Sequence, residues 1–242
     1  MQVGILFCGS LGLCCVGGFV AAIWTALSPT SFPPETESYS EARKHFQTQL
    51  VRNAPAPQRW APTIKPRGVD EVEYLSGNLR LKAWVDHPQP KAAPRPAVLF
   101  LHGGFAFGED DWEQCQPFRD AGYVVMTPML RGENGLPGDY SMFYNEVEDV
   151  LAAAESLAKM PHVDGKHMYV AGHSVGGTLT LLAAMTTDRF KAAASFSGSP
   201  DQVAWSRGQP AVVPFDPSIS REYQMRSPLA FARSFKCPVR LY

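Results

Sequence analysis

Several things are scarce in this chain of 242 residues, and each scarcity excludes something. Charge of either sign is sparse and balanced, 22 Lys plus Arg against 23 Asp plus Glu, for a formal net charge of -1. No dense basic block exists to meet a phosphate backbone, so nucleic-acid binding has no electrostatic footprint. Cysteine is nearly absent from the body. Cys8, Cys14 and Cys15 sit in the apolar N-terminus, and only Cys115 and Cys237 lie beyond it, without a C-x-x-C pair. That is no disulfide framework. No metal-ligand spacing such as H-E-x-x-H occurs, and nothing calls for a cofactor. After Ser174 the sequence has no histidine.

The N-terminus lacks charge altogether. From Val3 to Leu27 the chain reads VGILFCGSLGLCCVGGFVAAIWTAL, and the first charged side chain is Glu35. About 20 apolar residues span a bilayer as a helix. Residues 1–28 are therefore expected to be a transmembrane anchor, with a cleaved signal peptide as the rival and secretion as its consequence. The n-region carries no basic residue, and no small-x-small cleavage site follows, which favours the anchor. Arg43 and Lys44 give only a weak charge bias for sidedness. Residues 29–68, with prolines at 29, 33, 34, 55, 57, 62 and 66, read as a semi-rigid spacer.

From residue 69 to 242 the pattern is that of one α/β domain. EVEYLSGNLRLKAWV alternates about Ser76-Gly77-Asn78 as a β-hairpin does. PAVLFLHGG, YVVMTPML and HMYVAG are short apolar runs of the kind buried on both faces of a parallel sheet. Between them, DWEQCQPFRDAG reads as one short helix capped by Asp111, with Gln114 at the capping-box position. YSMFYNEVEDVLAAAESLAKM reads as a long amphipathic helix. Phe143, Val147, Val150, Leu151, Ala154 and Leu157 share its apolar face, and Glu146, Glu148 and Asp149 its wet face. Strands alternating with helices mean a mostly parallel sheet covered on both sides.

One motif carries chemistry. Gly172-His173-Ser174-Val175-Gly176 follows a strand and opens a helix, the setting of a nucleophile elbow. A sharp turn there lifts a serine hydroxyl above the sheet, and side chains at Gly172 and Gly176 would strike neighbouring backbone. The helix N-terminus offers free N–H groups where an oxyanion forms. LHGGF, residues 101–105, ends an earlier strand at the same sheet edge. It is expected to supply a second oxyanion donor from Gly104 or Phe105, beside the N–H of Val175. The run Glu109-Asp110-Asp111 is read as a solvated loop capping the next helix rather than as a site for a substrate amine.

These segments resemble an α/β-hydrolase of the prolyl oligopeptidase type, close to the dienelactone-hydrolase-like proteins. The likeness is carried by PAVLFLHGG, YVVMTPMLRGENGLPG, EVEDVLAAAESLAKMPHVDGKHMYVAGHSVGGTLTLLAA and SPLAFARSFKCPVRLY, over about residues 69–242. Arg131-Gly132 matches the family's loop after the fourth strand. The resemblance implies hydrolysis of a peptide or small ester through an acyl-enzyme on Ser174, with no cofactor or metal.

The resemblance also implies an acid and then a histidine after the strand PVRLY. The sequence given stops at Tyr242, so a C-terminally truncated domain is expected, lacking its last strand, helix and two triad members, and inactive as it stands. The six histidines present are not expected to replace the missing one. His102 is expected to hold its loop by hydrogen bonding, and His173 to diverge from its neighbour Ser174. His162 and His167 lie at the far end of the sheet, and His45 and His87 outside the core pattern. A carboxylesterase and a non-catalytic binding protein stay open as alternatives.

Overall fold

The computed structural model describes residues 32, 35–86 and 93–242. The chain divides into two units, Met1–Pro33 and Pro34–Tyr242. The first lies almost wholly outside the described residues, as does His87. The second is built on one seven-stranded sheet. Its strands are β1 (Val69–Ser76), β2 (Leu79–Asp86), β3 (Arg95–Leu101), β4 (Val124–Pro128), β5 (Val163–His173), β6 (Phe190–Phe196) and β7 (Val239–Leu241), in the spatial order β1-β2-β4-β3-β5-β6-β7. β1 and β2 form the expected hairpin, with Ser76 opposite Leu79 across Gly77-Asn78. β2 joins β4 antiparallel, and β4, β3, β5, β6 and β7 run parallel.

The helices are α1 (Tyr39–His45), α2 (Glu109–Gln114), α3 (Gln116–Asp120), α4 (Glu146–Ala158), α5 (Val175–Thr186), α6 (Gln202–Ser206) and α7 (Ser220–Gln224). Residues 97–101 of β3 and all of β4 are buried, as their unbroken apolar runs require. α5 is buried from Gly176 to Met185, packed on β5 and β6 on one side and on α1 and α4 on the other. That is why it is apolar all round rather than amphipathic. The carboxyl ends of β3, β4, β5 and β6 open on one edge, where ligands bind in open α/β sheets.

Three expectations are corrected. The single helix expected over DWEQCQPFRDAG is two, broken at Cys115, because Pro117 has no N–H to continue the ladder. Its cap is Gly108, whose N–H donates to the Asp111 carboxylate at 2.8 Å. The long helix starts at Glu146, not Tyr140. Met142 and Phe143 have φ of 56° and 72°, which no helix accommodates, and Phe143 turns into an aromatic cluster instead. Third, the sequence reading places a transmembrane helix over residues 3–27 and draws a membrane localisation from it. No helix among the described residues is long and apolar enough to cross a membrane. α4, at 13 residues, reaches only about 20 Å against a hydrocarbon core of about 30 Å. Residues 3–27 lie outside the described residues, so the described architecture is the sheet and its helices, and the membrane localisation drawn from that segment is withdrawn.

Candidate active site

β5 runs straight into α5 through Ser174, with no loop between them. The turn is made in one residue, whose backbone sits at φ 53° and ψ -112°. Such a conformation is costly for a residue with a side chain and persists where the surroundings enforce it. They do so by close approach. A Cβ at Gly172 would strike the carbonyl of Gly176, and one at Gly176 would strike the carbonyls of Leu101 and His102. Ser174 N–H donates to the Phe196 carbonyl at 2.8 Å, tying the elbow to β6. The serine is half-buried, and its hydroxyl does not cap the helix it begins.

The LHGGF loop lies directly against this turn. Leu101 pairs with Gly172 in the sheet, and a Cβ at Gly103 would come within 2.9 Å of His173 Nδ1. The structure thus brings Ser174, Val175, Gly104 and Phe105 to one sheet edge. Gly104 has φ 69°. The N–H of Phe105 donates to Gln58 Oε1 at 2.9 Å, an acceptor from the proline-rich segment that sequence reasoning missed.

His102 holds this loop, as expected. Its Nε2 lies 2.9 Å from Glu133 Oε2 and its Nδ1 3.0 Å from the Gly103 carbonyl. Glu133 also accepts the N–H of Leu130 at 2.7 Å. Burial works against a charged imidazole, but the Glu133 carboxylate outweighs it and lifts the His102 pKa to about 9. Both ring nitrogens are engaged, so His102 is not free to take a proton from Ser174. His162 precedes β5, and His167 is bound to Asp164 at 2.6 Å. At about 3.3 Å per strand residue, His167 sits roughly 20 Å from Ser174.

The loop after β4 is pinned by carboxylates that the sequence reading assigns to solvent. Asp149 is fully buried and takes three hydrogen bonds from Arg131, from its backbone N–H at 3.0 Å and its guanidinium at 2.7 and 2.9 Å. Glu146 is buried and accepts both the N–H and the hydroxyl of Ser141 at 2.6 Å. Only Glu148 remains on the wet face, where it meets Arg43. Glu109 and Asp110 are exposed, as the capping reading expects. Phe105, Tyr140, Phe143 and Trp205 form an aromatic box, with ring centroids 5.0 to 6.2 Å apart. Its wall Phe105 belongs to the loop beside the serine. Among the described residues no group of three His, Cys, Asp or Glu is arranged to hold a metal. Cys115 is buried, and burial pushes its thiol up to about 12, leaving it inert.

Known proteins are similar to this chain in sequence and in fold. In Bacillus subtilis (strain 168), the uncharacterized peptidase YuxL is 26% identical over 193 residues, 70% of this chain and 29% of YuxL. The uncharacterized peptidase YtmA of the same organism is 27% identical over 178 residues, 69% of each chain. The solved structure of a Mycobacterium tuberculosis puromycin-hydrolyzing peptidase is similar with a TM-score of 0.60 at 28% identity, over 71% of this chain and 30% of that one. The chain therefore spans less than a third of YuxL and of that peptidase. The pattern of the prolyl oligopeptidase family (Peptidase_S9) matches residues 110–233, from α2 through the elbow and beyond α7. With half of its sequence accounted for by that pattern, the chain belongs to the prolyl oligopeptidase family.

Proposed function

We propose that this chain is a serine hydrolase of the peptidase type, with Ser174 as nucleophile. The observation that carries the reading is the strained backbone of Ser174 at the head of α5. In the proposed reaction Ser174 Oγ attacks a substrate carbonyl carbon and loses its proton to a base. The carbonyl oxygen, now negative, is held by the N–H groups of Val175 and of Phe105, or Gly104 beside it. The C–N or C–O bond breaks, the leaving group takes a proton, and water then hydrolyses the acyl-serine. The aromatic box suits an apolar side chain on the acyl half of the substrate. Membership of a peptidase family favours peptides, and the same geometry accepts activated esters.

No hydrogen bond joins Ser174 Oγ to a described histidine, and a serine hydroxyl alone is a poor nucleophile. Losing the triad histidine costs on the order of a millionfold in turnover in subtilisin. The 242-residue chain should therefore turn over nitrophenyl 3-phenylpropanoate hardly above background. Added imidazole supplies the missing base and should raise the rate, with an acyl adduct on Ser174 visible by mass spectrometry. Ser174→Ala should abolish both the increment and the adduct. Equal imidazole response in the two proteins, or an adduct on another residue, would remove Ser174 from the role. Aminoacyl-naphthylamides run beside the esters then separate peptidase from esterase preference.

A further inference from the structure

The proline-rich segment before β1 is seated against the loops beside the site, those of residues 101–105 and 129–141. Val51 and Arg52 donate their N–H groups to the Pro214 carbonyl at 2.8 and 3.1 Å. Tyr140 N–H donates to the Ala54 carbonyl at 2.9 Å, and Ala56 N–H to the Gly132 carbonyl at 3.0 Å. Further along, the Trp60 ring comes within 3.1 Å of where a Cβ on Gly135 would stand. Between these anchors Gln58 reaches into the LHGGF loop. Its Oε1 accepts the Phe105 N–H at 2.9 Å, and a Cβ on Gly104 would stand only 2.5 Å from that oxygen. A glycine at 104 is what lets the carboxamide come so near.

We propose that Gln58 is a removable plug of the oxyanion hole, an internal stand-in for the substrate's scissile amide. This rests on the reading of Phe105 as an oxyanion donor. The side-chain carboxamide is a planar amide whose carbonyl oxygen already accepts one of the proposed donors, the Phe105 N–H. Gln58 is exposed, held by backbone bonds before it at residues 51–56 and by the seated Trp60 ring after it. Rotation of its side chain clears the hole without moving the strap. A substrate competes with it for one N–H, so apparent affinity falls by the fraction of molecules with the hole open. The plug must leave before the ground state binds as well as before the transition state forms. It therefore raises KM and leaves kcat unchanged.

The test needs no catalysis. N-acetyl-phenylalanine offers a carboxylate for the Phe105 N–H and a ring for the aromatic box. It is titrated while the Phe105 amide resonance is followed by NMR. A neutral hydrogen bond of ordinary net strength holds the plug shut most of the time, so Gln58→Ala should bind this probe about three- to tenfold more tightly. Amide exchange at Phe105 should quicken in the free variant. The affinity ratio should persist in a Ser174→Ala background, because the plug acts through the N–H and not the hydroxyl. Equal or weaker binding by Gln58→Ala overturns the plug and leaves the Ser174 reading intact. A Phe105 resonance that the probe shifts in neither protein overturns the oxyanion role of Phe105, and the plug with it.

Discussion

Two loops meet at the candidate site, and they are held in opposite ways. The elbow at residues 172–177 keeps its shape by exclusion: glycines sit where backbone carbonyls leave no room for a Cβ. The loop after β4, residues 129–141, keeps its shape by attraction to buried carboxylates: His102 to Glu133, Arg131 to Asp149, and Ser141 to Glu146. The first arrangement depends on volume and is indifferent to pH. The second depends on charge and fails when protons are exchanged. Ser174, the proposed nucleophile, is thus mounted on the pH-insensitive element, and the pH-sensitive one frames the 101–105 loop and the aromatic wall around it.

The sharpest break of this contrast is Gly176→Ala. A methyl driven into the Leu101 and His102 carbonyls has nowhere to relax, because both belong to the central strand β3 and its exit. Such overpacking costs roughly 3 kcal/mol or more, and chemical denaturation at pH 6 and pH 9 should show the same loss at both. Next comes Asp149→Ala, which strands the Arg131 guanidinium against a dry cavity. Breaking a buried pair from one side costs about 3 kcal/mol, and Asp149→Asn, which keeps an acceptor, should cost less. Ser174 and α5 should hold their amide protection in both Asp149 variants, while residues 129–141 lose theirs.

The smallest expected effect is the titration of His102. Its pKa is raised from the ordinary 6.5 to about 9. The imidazolium therefore adds stability that is fully present below about pH 6.5 and is lost as pH rises through 9. The linkage amounts to at most roughly 3 kcal/mol, reached only when the whole window is crossed. Stability measured from pH 6 to 10 should fall across that window, and His102→Gln should flatten the fall. A pH-independent parent would place His102 neutral in the fold and end the contrast.

The same division explains what the sequence discloses. Exclusion is local, so Gly172, Ser174 and Gly176 are readable from five consecutive residues and their flanking apolar runs. The buried strands are readable for the same reason. Attraction is not local. Arg131 and Asp149 stand 18 residues apart, and Phe105 and Gln58 stand 47 apart. Helical periodicity therefore puts Glu146 and Asp149 on a wet face, although both are buried. Signals for two of the misreadings were present. Pro117 marks the break between α2 and α3. Ser141, five residues before Glu146, marks the approach to α4 through its hydroxyl, which accepts the N–H of Asn145, the residue just before the helix, at 2.6 Å. The strap offers no such mark, because proline-rich sequence looks the same whether it hangs free or lies seated on a surface.

The root of that strap is bound by a second buried pair. Glu222 and Arg226 meet at 2.6 Å, Thr48 and the Gln49 N–H donate to Glu222, and Arg226 reaches Thr48 and the Ser141 carbonyl. Thr48 and Glu222 are 174 residues apart. Contacts of such separation close only after the chain between them has ordered, since the entropy of joining distant segments is lost first and recovered last. During synthesis the strap emerges early but has no seat until residues 214–226 have folded. The elbow can form once β3, β5 and α5 are together. The newborn site is therefore built open, and Gln58 swings in as one of the last events of folding.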